Sequence, residues 1–307
     1  MLAEKIASSL RLNSEYIELI ARTASHRYKT YGIPKKTGGV RIIEHPAREL
    51  KLLQSWLIEN VFVKLPVHKS ATAYKKRASV LRNATLHKNR NYLLKIDFEN
   101  FFPSITGTDI ARLLQRNRKA IEKNVVENSD VDLIRQLVCR RDSLTIGAPS
   151  SPIISNLVMY EFDENRSTYC RERNIVYSRY ADDLYFSTND RGVLEVLLAD
   201  IRRDIATRQS PVLRINERKT AFTSRKRRRL VTGLVLTPTG SVSLGRRRKR
   251  FIRSLVFKNS VGNLTGEQVL SLKGVLAYAR SIEPEFVNAL RNKYGTAAIG
   301  EKPARTS

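Results

Sequence analysis

The stretch "RYADDLYF", Arg179 to Phe186, places two adjacent acids inside an aromatic and aliphatic run. The flanking segments "IVYSRY" and "LYFST" predict two strands joined by a tight connection at Ala181-Asp182-Asp183. Adjacent carboxylates repel each other and resist burial, so this arrangement needs a compensating cation. A pair of acids in a turn is usually a solvated turn. The surrounding sequence must therefore decide its role.

A third acid ends another predicted strand. In "NYLLKIDFENFF", Leu94, Ile96 and Phe98 share one face, and Lys95 and Asp97 share the other. The order strand, helix, strand, strand predicts neighbours in one antiparallel sheet, so this acid and the acid pair would face one point. Oxygen donors without Cys or His favour a hard cation such as Mg²⁺. Two such ions, about 3.5 to 4 Å apart, would serve an in-line displacement at phosphorus.

The composition points to a polyanionic partner. The 307 residues carry a formal net charge of +27, which favours nucleic acid, with acidic membrane lipid as the rival. No uninterrupted apolar run approaches the roughly 20 residues that span a bilayer, and the first 20 residues predict one amphipathic helix rather than a signal peptide. Cys139 and Cys170 lie outside any CxxC motif and predict ordinary core thiols in a reduced cytosol.

Helices are expected in three places that bear on the site. One follows Pro46, and another spans about 107–140. The segment "GAPSSPIISNLVMYEFDENRSTYC" predicts a single helix that buries Ile153, Leu157 and Tyr160.

Three motifs resemble the palm of reverse transcriptases, in that family's order. They are "LKIDFENFFPSI" at 94–105, "GAPSSPIISNLV" at 147–158 and "YADD" at 180–183. "NATLH" at 83–87, "VTG" at 231–233 and the compact length narrow the resemblance to the bacterial retron reverse transcriptases, over about residues 26–290. The resemblance implies an α+β right-hand polymerase with fingers, a ferredoxin-like palm (an antiparallel sheet with helices on one face) and a small helical thumb.

The same resemblance implies a division of the chain. We expect N-terminal helices and fingers at 1–90, the first catalytic palm strand at 91–106, a helical insertion of fingers and palm at 107–145, the main palm at 146–240 and the thumb at 241–307.

The resemblance assigns the catalytic roles by position. Asp97 and Asp182 resemble the two metal-bridging acids and Asp183 the supporting third, which implies two Mg²⁺ ions, with Mn²⁺ as the alternative ion. Phe102 falls where the family places the side chain that screens the sugar 2′ position. The other reading of Phe102 is a plain core phenylalanine.

The nucleotide-binding residues follow in the same way. Lys36 and Arg41 match fingers cations that grip the triphosphate, and Gly147 marks a tight backbone approach. Lys219 resembles a residue that protonates the leaving pyrophosphate, although a phosphate contact or plain solvent exposure would also explain it. Many relatives have Gln before this glycine, whereas Ile146 stands here, so an amide contact is not predicted.

Two basic runs and two short motifs complete the expected sites. The runs predict a surface that grips nucleic acid, with solvated faces as the alternative; its members are Arg227, Arg228, Arg229, Arg246, Arg247 and Arg248. The motifs imply recognition of the cognate RNA through Asn83, His87, Val231, Thr232 and Gly233.

The implied activity is RNA-directed DNA synthesis in the bacterial cytoplasm. The template and primer would be a dedicated structured non-coding RNA, primed from a guanosine 2′-OH to give branched, RNA-linked DNA. Further implied partners are deoxynucleotides, a host ribonuclease H and a separately encoded antiphage effector protein. The alternatives are another reverse transcriptase subclass, intron-type or abortive-infection, and a non-catalytic RNA-binding scaffold.

Overall fold

The protein is described by a computed structural model that covers residues 1–35, 38–122 and 130–300. It forms two compact units. Unit 1 comprises Met1–Ala78, Leu94–Phe186 and Gly192–Ala221, and unit 2 comprises Ser79–Leu93, Ser187–Arg191 and the residues from Phe222 onward.

Helices and strands alternate along the chain. The α-helices are α1 (Leu2–Leu10), α2 (Ser14–Arg22), α3 (Arg48–Asn60), α4 (Val80–His87), α5 (Gly107–Arg116), α6 (Arg118–Glu122), α7 (Val131–Val138), α8 (Ser151–Val158), α9 (Tyr160–Glu172), α10 (Val193–Thr207), α11 (Arg246–Ser260), α12 (Gly266–Ile282) and α13 (Pro284–Tyr294). The strands are β1 (Tyr28–Pro34), β2 (Val40–Pro46), β3 (Tyr92–Asp97), β4 (Val176–Tyr180), β5 (Asp183–Thr188), β6 (Ala221–Ser224), β7 (Arg229–Val231), β8 (Leu234–Leu236) and β9 (Val242–Ser243).

The strands form three sheets. β1 and β2 make an antiparallel hairpin in which Tyr28 faces Pro46 and Pro34 faces Val40. The central sheet has the order β4-β5-β3-β6, and a third, antiparallel sheet has the order β7-β8-β9. The predicted mixture of helices with antiparallel sheets is confirmed, and the strand that ends in Asp97 neighbours the hairpin of the acid pair as expected.

Periodic apolar residues anchor helix α3. Leu50, Leu53 and Leu57 recur at helical spacing and are fully buried. The strand before it ends at Pro46, whose ring removes a backbone donor and prevents the ladder from continuing. The helix predicted after Pro46 is therefore confirmed.

The single helix predicted from residue 150 onward is wrong. The chain forms α8 and α9, which meet at Met159. Ile154 and Leu157 are buried, whereas Ile153 and Tyr160 lie only partly inside. The face that packs inward is set by polar contacts as well as apolar ones, because the buried Asn156 donates a hydrogen bond to the Ala73 carbonyl at 2.9 Å.

Two other helical predictions need correction. The N-terminal stretch forms two helices rather than one, because Arg11 adopts a left-handed conformation (φ 54°) and the Asn13 side chain caps α2 by accepting from the Glu15 amide. The stretch expected to be helical over 107–140 contains α5, α6 and α7, with 123–129 outside the described residues.

The two cysteines are buried in unit 1, in agreement with the expectation of core thiols. Burial raises the pKa of both Cys139 and Cys170 to about 12. Over the described parts of the chain, no helix combines the length and apolar character needed to cross a membrane.

Unit 2 combines a small sheet with helices. Helix α4 packs against β7 and β8, and α11, α12 and α13 pack on one another. Glu283, before α13, accepts hydrogen bonds from the Leu244 amide at 2.6 Å and from Lys249 Nζ at 2.5 Å. A capping box between Thr265 and Gln268 begins α12.

Candidate active site

The acid pair lies in the tight connection between β4 and β5. Ala181 adopts a left-handed conformation with φ 57°, and Asp183 is the first residue of β5. The Asp182 carbonyl accepts a hydrogen bond from the Phe98 amide at 3.1 Å. This bond ties the connection, residues 181–183 and hereafter the catalytic turn, to the chain just after β3.

Asp97 ends β3 in a buried position and is paired with a lysine. Lys219 Nζ donates to both carboxylate oxygens of Asp97, at 2.9 and 3.1 Å, while the lysine side chain remains 55% exposed. The Asn216 amide donates to the Asp97 carbonyl at 2.8 Å, which places the loop before Lys219 beside the strand end. The hydrogen bond to Asp97 raises the pKa of Lys219, and the charges of the catalytic turn add to this effect.

Asp183 has its own cation. Its Oδ1 lies 2.7 Å from Lys95 Nζ, and its Oδ2 accepts a hydrogen bond from the Tyr185 hydroxyl at 2.9 Å. Lys95 was predicted to share a face of β3 with Asp97, and its pairing with Asp183 fits that face. Lys95 and Lys219 are therefore the compensating cations that the adjacent acids require.

Burial and the neighbouring carboxylates oppose the ionisation of Asp182 and Asp183. Burial raises the pKa of Asp182 from 3.8 to about 6, and the charges of Asp183 and Asp97 add to the increase. Burial also raises the pKa of Asp183, against the opposing charge of Lys95. The site thus holds more negative charge than its lysines neutralise, as expected of a site that binds cations.

The donor set fits a divalent metal, although the carboxylates are engaged elsewhere as the chain stands. Oxygen-only donors suit Mg²⁺ or Mn²⁺. In residues 1–35, 38–122 and 130–300, no three or more His, Cys, Asp or Glu side chains form a ready-made metal centre. The lysine ammonium groups hold oxygens that a metal would take, and Lys219, whose side chain is exposed, can turn into solvent when a metal replaces it on Asp97.

A buried ion pair lies behind the catalytic turn. Arg179 and Asp163 are both fully buried, with Nε 2.9 Å from Oδ1 and Nη2 2.6 Å from Oδ2. The Tyr177 hydroxyl donates to the same Oδ1 at 2.7 Å. The remaining Arg179 nitrogen, Nη1, donates to the Ala181 carbonyl at 3.1 Å.

Phe102 lies at the edge of the core rather than inside it. It is partly exposed, whereas its neighbour Phe101 is buried. Its ring lies 6.3 Å from that of Tyr74, a residue with φ 55° that sequence reasoning missed. Burial and the charge of Asp182 raise the pKa of Tyr74. Since no motif or periodicity marks Tyr74, only the fold could reveal it.

The glycine bend is held against the β1–β2 hairpin. A Cβ at Gly147 (φ 124°) would lie 2.8 Å from the Glu44 carbonyl oxygen, so only glycine fits. The Glu44 amide donates to the Ile146 carbonyl at 2.8 Å. Arg41, two strand positions before Ile43, is exposed on the same strand β2, and Lys36 lies outside the described residues.

The basic runs of unit 2 divide into surface and core. Arg227, Arg228, Arg246 and Arg247 are exposed, and Arg248 is partly buried, 5.2 Å from the Tyr278 ring. Arg229 is 1% exposed and donates to the backbone carbonyls of Arg90 and Thr237. The prediction that Arg229 belongs to the nucleic-acid surface is therefore corrected. Its guanidinium donates hydrogen bonds to backbone carbonyls inside unit 2.

The two short motifs meet within unit 2. The Thr232 hydroxyl donates to the Val80 carbonyl at the start of α4, at 3.0 Å. Asn83, His87 and Val231 are completely buried. Burial lowers the pKa of His87 to about 3, and its Nδ1 lies 2.7 Å from Ser187 Oγ. Of the motif residues predicted to recognise RNA, Gly233 is exposed and Thr232 is partly exposed. Asn83, His87 and Val231 lie in the interior of unit 2.

Comparison with known proteins decides the family. Residues 33–238 match the reverse transcriptase (RNA-dependent DNA polymerase) family. Retron Ec83 reverse transcriptase from Escherichia coli is 40% identical over 289 residues, covering 92% of this chain and 91% of the relative. Retron Ec73 reverse transcriptase, from the same species, is 38% identical and covers 87% and 86%. The chain belongs to the retron reverse transcriptases. It is an RNA-directed DNA polymerase.

The fold of this retron reverse transcriptase also occurs in telomerase. The chain resembles apo telomerase from Candida tropicalis with a TM-score of 0.52 and 13% identity, over 86% of this chain and 58% of that one. The telomerase of Candida albicans gives 0.51 at 12% identity, over 94% and 58%. These similarities concern the fold alone.

Proposed function

We propose that this retron reverse transcriptase copies a dedicated structured non-coding RNA into single-stranded DNA. Synthesis is primed from a guanosine 2′-OH of that RNA, so the product is a branched DNA joined to RNA. One observation supports a working polymerase: Asp97 lies beside the catalytic turn. Lys219 pairs with Asp97 and senses the charges of Asp182 and Asp183, and Lys95 pairs with Asp183.

In this proposal Asp97, Asp182 and Asp183 hold two Mg²⁺ ions, or Mn²⁺ in their place. The ions supply charge stabilisation for the attacking and leaving oxygens of the phosphoryl transfer. The chain itself keeps three carboxylates together in a partly buried site. Lys95 and Lys219 neutralise two of them until the nucleotide complex assembles.

The residues around the carboxylates bind and select the nucleotide. Arg41, together with Lys36, contacts the triphosphate, and the bend at Gly147 lets the backbone approach the nucleotide. Phe102 presents its ring to the sugar 2′ position and excludes a hydroxyl. Lys219 is placed to protonate the leaving pyrophosphate after its ammonium group has left Asp97, because a lysine with an ordinary pKa of about 10.4 carries its proton at neutral pH.

Unit 2 supplies the nucleic-acid surface. Arg227, Arg228, Arg246 and Arg247 are exposed cations that fit phosphates of the template and product, and Arg248 flanks them. The surface around Thr232 and Gly233 recognises the cognate RNA. We assign fingers to 1–90, palm to 91–106 and 146–240, a shared helical insertion to 107–145, and thumb to 241–307.

The biological setting is proposed from the same family membership. The enzyme acts in the bacterial cytoplasm, a host ribonuclease H removes the copied RNA, and a separately encoded effector protein responds to phage infection. The similarity to retron reverse transcriptases of Escherichia coli supports a retron RNA as the template.

Primer extension with Mg²⁺ tests the catalytic assignment. Asp182→Asn removes a metal-binding charge without changing side-chain shape, so DNA synthesis should fall about 10³-fold, in line with several kcal/mol of lost charge stabilisation. RNA binding should stay within about twofold. Asp132→Asn is the matched control, because Asp132 is a 78% exposed carboxylate of unit 1 paired with Arg135. Unchanged synthesis by Asp182→Asn would refute the metal assignment and favour an RNA-binding scaffold.

Sequencing the nucleic acid that copurifies with the protein tests the priming assignment. DNA joined to RNA through a 2′,5′ branch at a guanosine is the expected product. DNA without such a branch would point to an intron-type or abortive-infection enzyme.

A further inference from the structure

The buried Arg179–Asp163 ion pair is hydrogen-bonded to the catalytic turn. The guanidinium of Arg179 uses one edge, Nε and Nη2, for the Asp163 carboxylate. It uses the opposite nitrogen, Nη1, for the Ala181 carbonyl at 3.1 Å. The carbonyl that it holds belongs to the residue immediately before Asp182.

The partner carboxylate is itself immobilised. Asp163 lies on helix α9 and is fully buried, and its Oδ1 also accepts from the Tyr177 hydroxyl at 2.7 Å. A buried carboxylate that accepts three hydrogen bonds from a guanidinium and one from a hydroxyl has little freedom to move. Arg179 is therefore clamped between a fixed helix on one side and the catalytic turn on the other.

The backbone of Arg179 is clamped as well. Its amide donates to the Ser70 carbonyl at 2.8 Å, and its carbonyl accepts from the Thr72 amide at 2.7 Å and from the Thr72 hydroxyl at 2.9 Å. The segment bound in this way continues to Tyr74, whose ring contacts Phe102. One residue thus fixes both the turn that carries the acids and the segment that carries a ring beside the sugar-screening residue.

The turn needs such support because its conformation is unfavourable. A non-glycine residue in the left-handed region, such as Ala181 at φ 57°, is strained by about 1 kcal/mol or more. Strain of this kind persists only where the surroundings hold the backbone in place. The hydrogen bond from Arg179 Nη1 to the Ala181 carbonyl does so, together with the bond from the Phe98 amide to the Asp182 carbonyl.

We propose that Arg179, fixed by Asp163 and Tyr177, is a positioning residue. It fixes the backbone of the catalytic turn and so orients the Asp182 carboxylate toward the metal. This inference rests on the proposed role of Asp182. A lysine cannot replace this arginine, because one ammonium cannot bridge both Asp163 oxygens and the Ala181 carbonyl in the fixed geometry of a planar guanidinium.

The test compares Arg179→Lys with the parent enzyme by two measurements. In primer extension, kcat should fall about 10- to 100-fold, the range for lost outer support of a metal site, while KM for deoxynucleotide and RNA affinity change less than about threefold. In an electron paramagnetic resonance titration with Mn²⁺ alone, affinity for the metal should fall about tenfold. Tyr177→Phe keeps the ion pair and the Ala181 contact but removes the hydroxyl that helps to fix Asp163, so it should lower both quantities by a smaller factor than Arg179→Lys does.

A second variant separates positioning from folding. Ala181→Gly removes only one small buried methyl group and relieves the left-handed strain, so the melting temperature should stay the same or rise. Because the turn becomes freer, kcat and Mn²⁺ affinity should nevertheless fall. A role in stability alone would move neither quantity in this variant.

Arg166→Lys is the matched control, because Arg166 is a largely buried arginine on the same helix α9 and pairs with Asp200 at 2.5 Å. It should alter thermal stability without altering Mn²⁺ affinity.

The inference is overturned if Arg179→Lys and Ala181→Gly retain parental kcat and Mn²⁺ affinity. If Asp182→Asn also retains activity, the proposed metal site itself has failed, whereas an inactive Asp182→Asn beside an active Arg179→Lys overturns the positioning role alone.

Discussion

Two acid–base pairs of unit 1 differ in almost every physical respect. Asp97 pairs with Lys219, whose flexible side chain is 55% exposed. Asp163 pairs with Arg179, and neither is exposed at all. A lysine is a mobile point charge, whereas an arginine binds a carboxylate in a rigid, two-pronged geometry. In the proposed mechanism, the carboxylate that accepts a metal is held by a cation that can leave, and the carboxylate that holds the backbone is held by a cation that cannot.

The largest expected effect is the loss of stability when the buried Asp163–Arg179 pair is broken, compared with the loss when the exposed Lys219 loses its partner. Asp163→Asn leaves the Arg179 charge buried with a neutral partner, so the free energy of unfolding should fall by about 3–5 kcal/mol. Asp97→Asn should change it by less than about 1 kcal/mol, because Lys219 can turn into solvent. Urea unfolding in metal-free buffer measures both. Equal losses would show that the two pairs are energetically alike.

The second prediction concerns the carboxylate that has no lysine of its own. Because the folded-state pKa of Asp182 is about 6, above the ordinary 3.8, its contribution to stability is present at low pH and is lost as the pH rises through this interval. At about 1.36 kcal/mol per pKa unit, ionised Asp182 destabilises the metal-free fold by roughly 3 kcal/mol above pH 6. Asp182→Asn should therefore stabilise the inactive protein at pH 7.5.

The pH dependence supplies its own control. In unfolding experiments with chelator, the gain from Asp182→Asn should shrink as the pH is lowered and vanish near pH 4. A gain that stayed constant between pH 4 and pH 7.5 would mean that the substitution acts through packing and not through charge.

A third prediction extends the comparison to the two rings beside the acids. Phe102→Ala should lower discrimination against ribonucleotides by about 10- to 100-fold, since a steric or apolar contact is worth about 1–3 kcal/mol in specificity. Tyr74→Ala should lower it less, because Tyr74 acts through its contact with the Phe102 ring. The ratio of kcat/KM for deoxy- and ribonucleotides measures both. Parental discrimination in Phe102→Ala would remove Phe102 from the sugar site.

The smallest effect contrasts an exposed with a buried arginine in unit 2. Arg228→Ala should reduce the slope of log affinity against log salt for duplex DNA by about 0.9, the value for one phosphate contact. Arg229→Ala should leave this slope unchanged and lower the melting temperature, because its guanidinium serves backbone carbonyls. Filter binding at several salt concentrations resolves the two. A salt-slope change in Arg229→Ala alone would reverse the assignment.

Local patterns predicted most of the scaffold around the site. Alternation of apolar and polar residues identified β3, and the aromatic strands on either side of the acid pair identified the β4–β5 hairpin. Their adjacency in one sheet followed from element order. The break between α8 and α9 was missed because the buried face there includes Asn156, whose partner lies 83 residues away at Ala73.

The contacts that support the acidic residues could not be predicted either, because they join residues that no sequence pattern connects. Nothing near Asp163 in the chain indicates that it faces Arg179, 16 positions later, and a cationic run gives no sign that Arg229 alone turns inward. Motif spacing identifies the residues that carry charge to the site. Which cations neutralise them, and which hold them in place, depends on contacts that only the folded chain creates.

The buried thiols give the protein an experimental advantage. With a pKa of about 12, Cys139 and Cys170 carry almost no thiolate at neutral pH and are shielded from reagents. Maleimide dyes should therefore leave the natural chain unlabelled without any cysteine having to be removed. A single cysteine introduced at an exposed position of the β1–β2 hairpin would then report, by fluorescence, on this hairpin during each round of nucleotide addition.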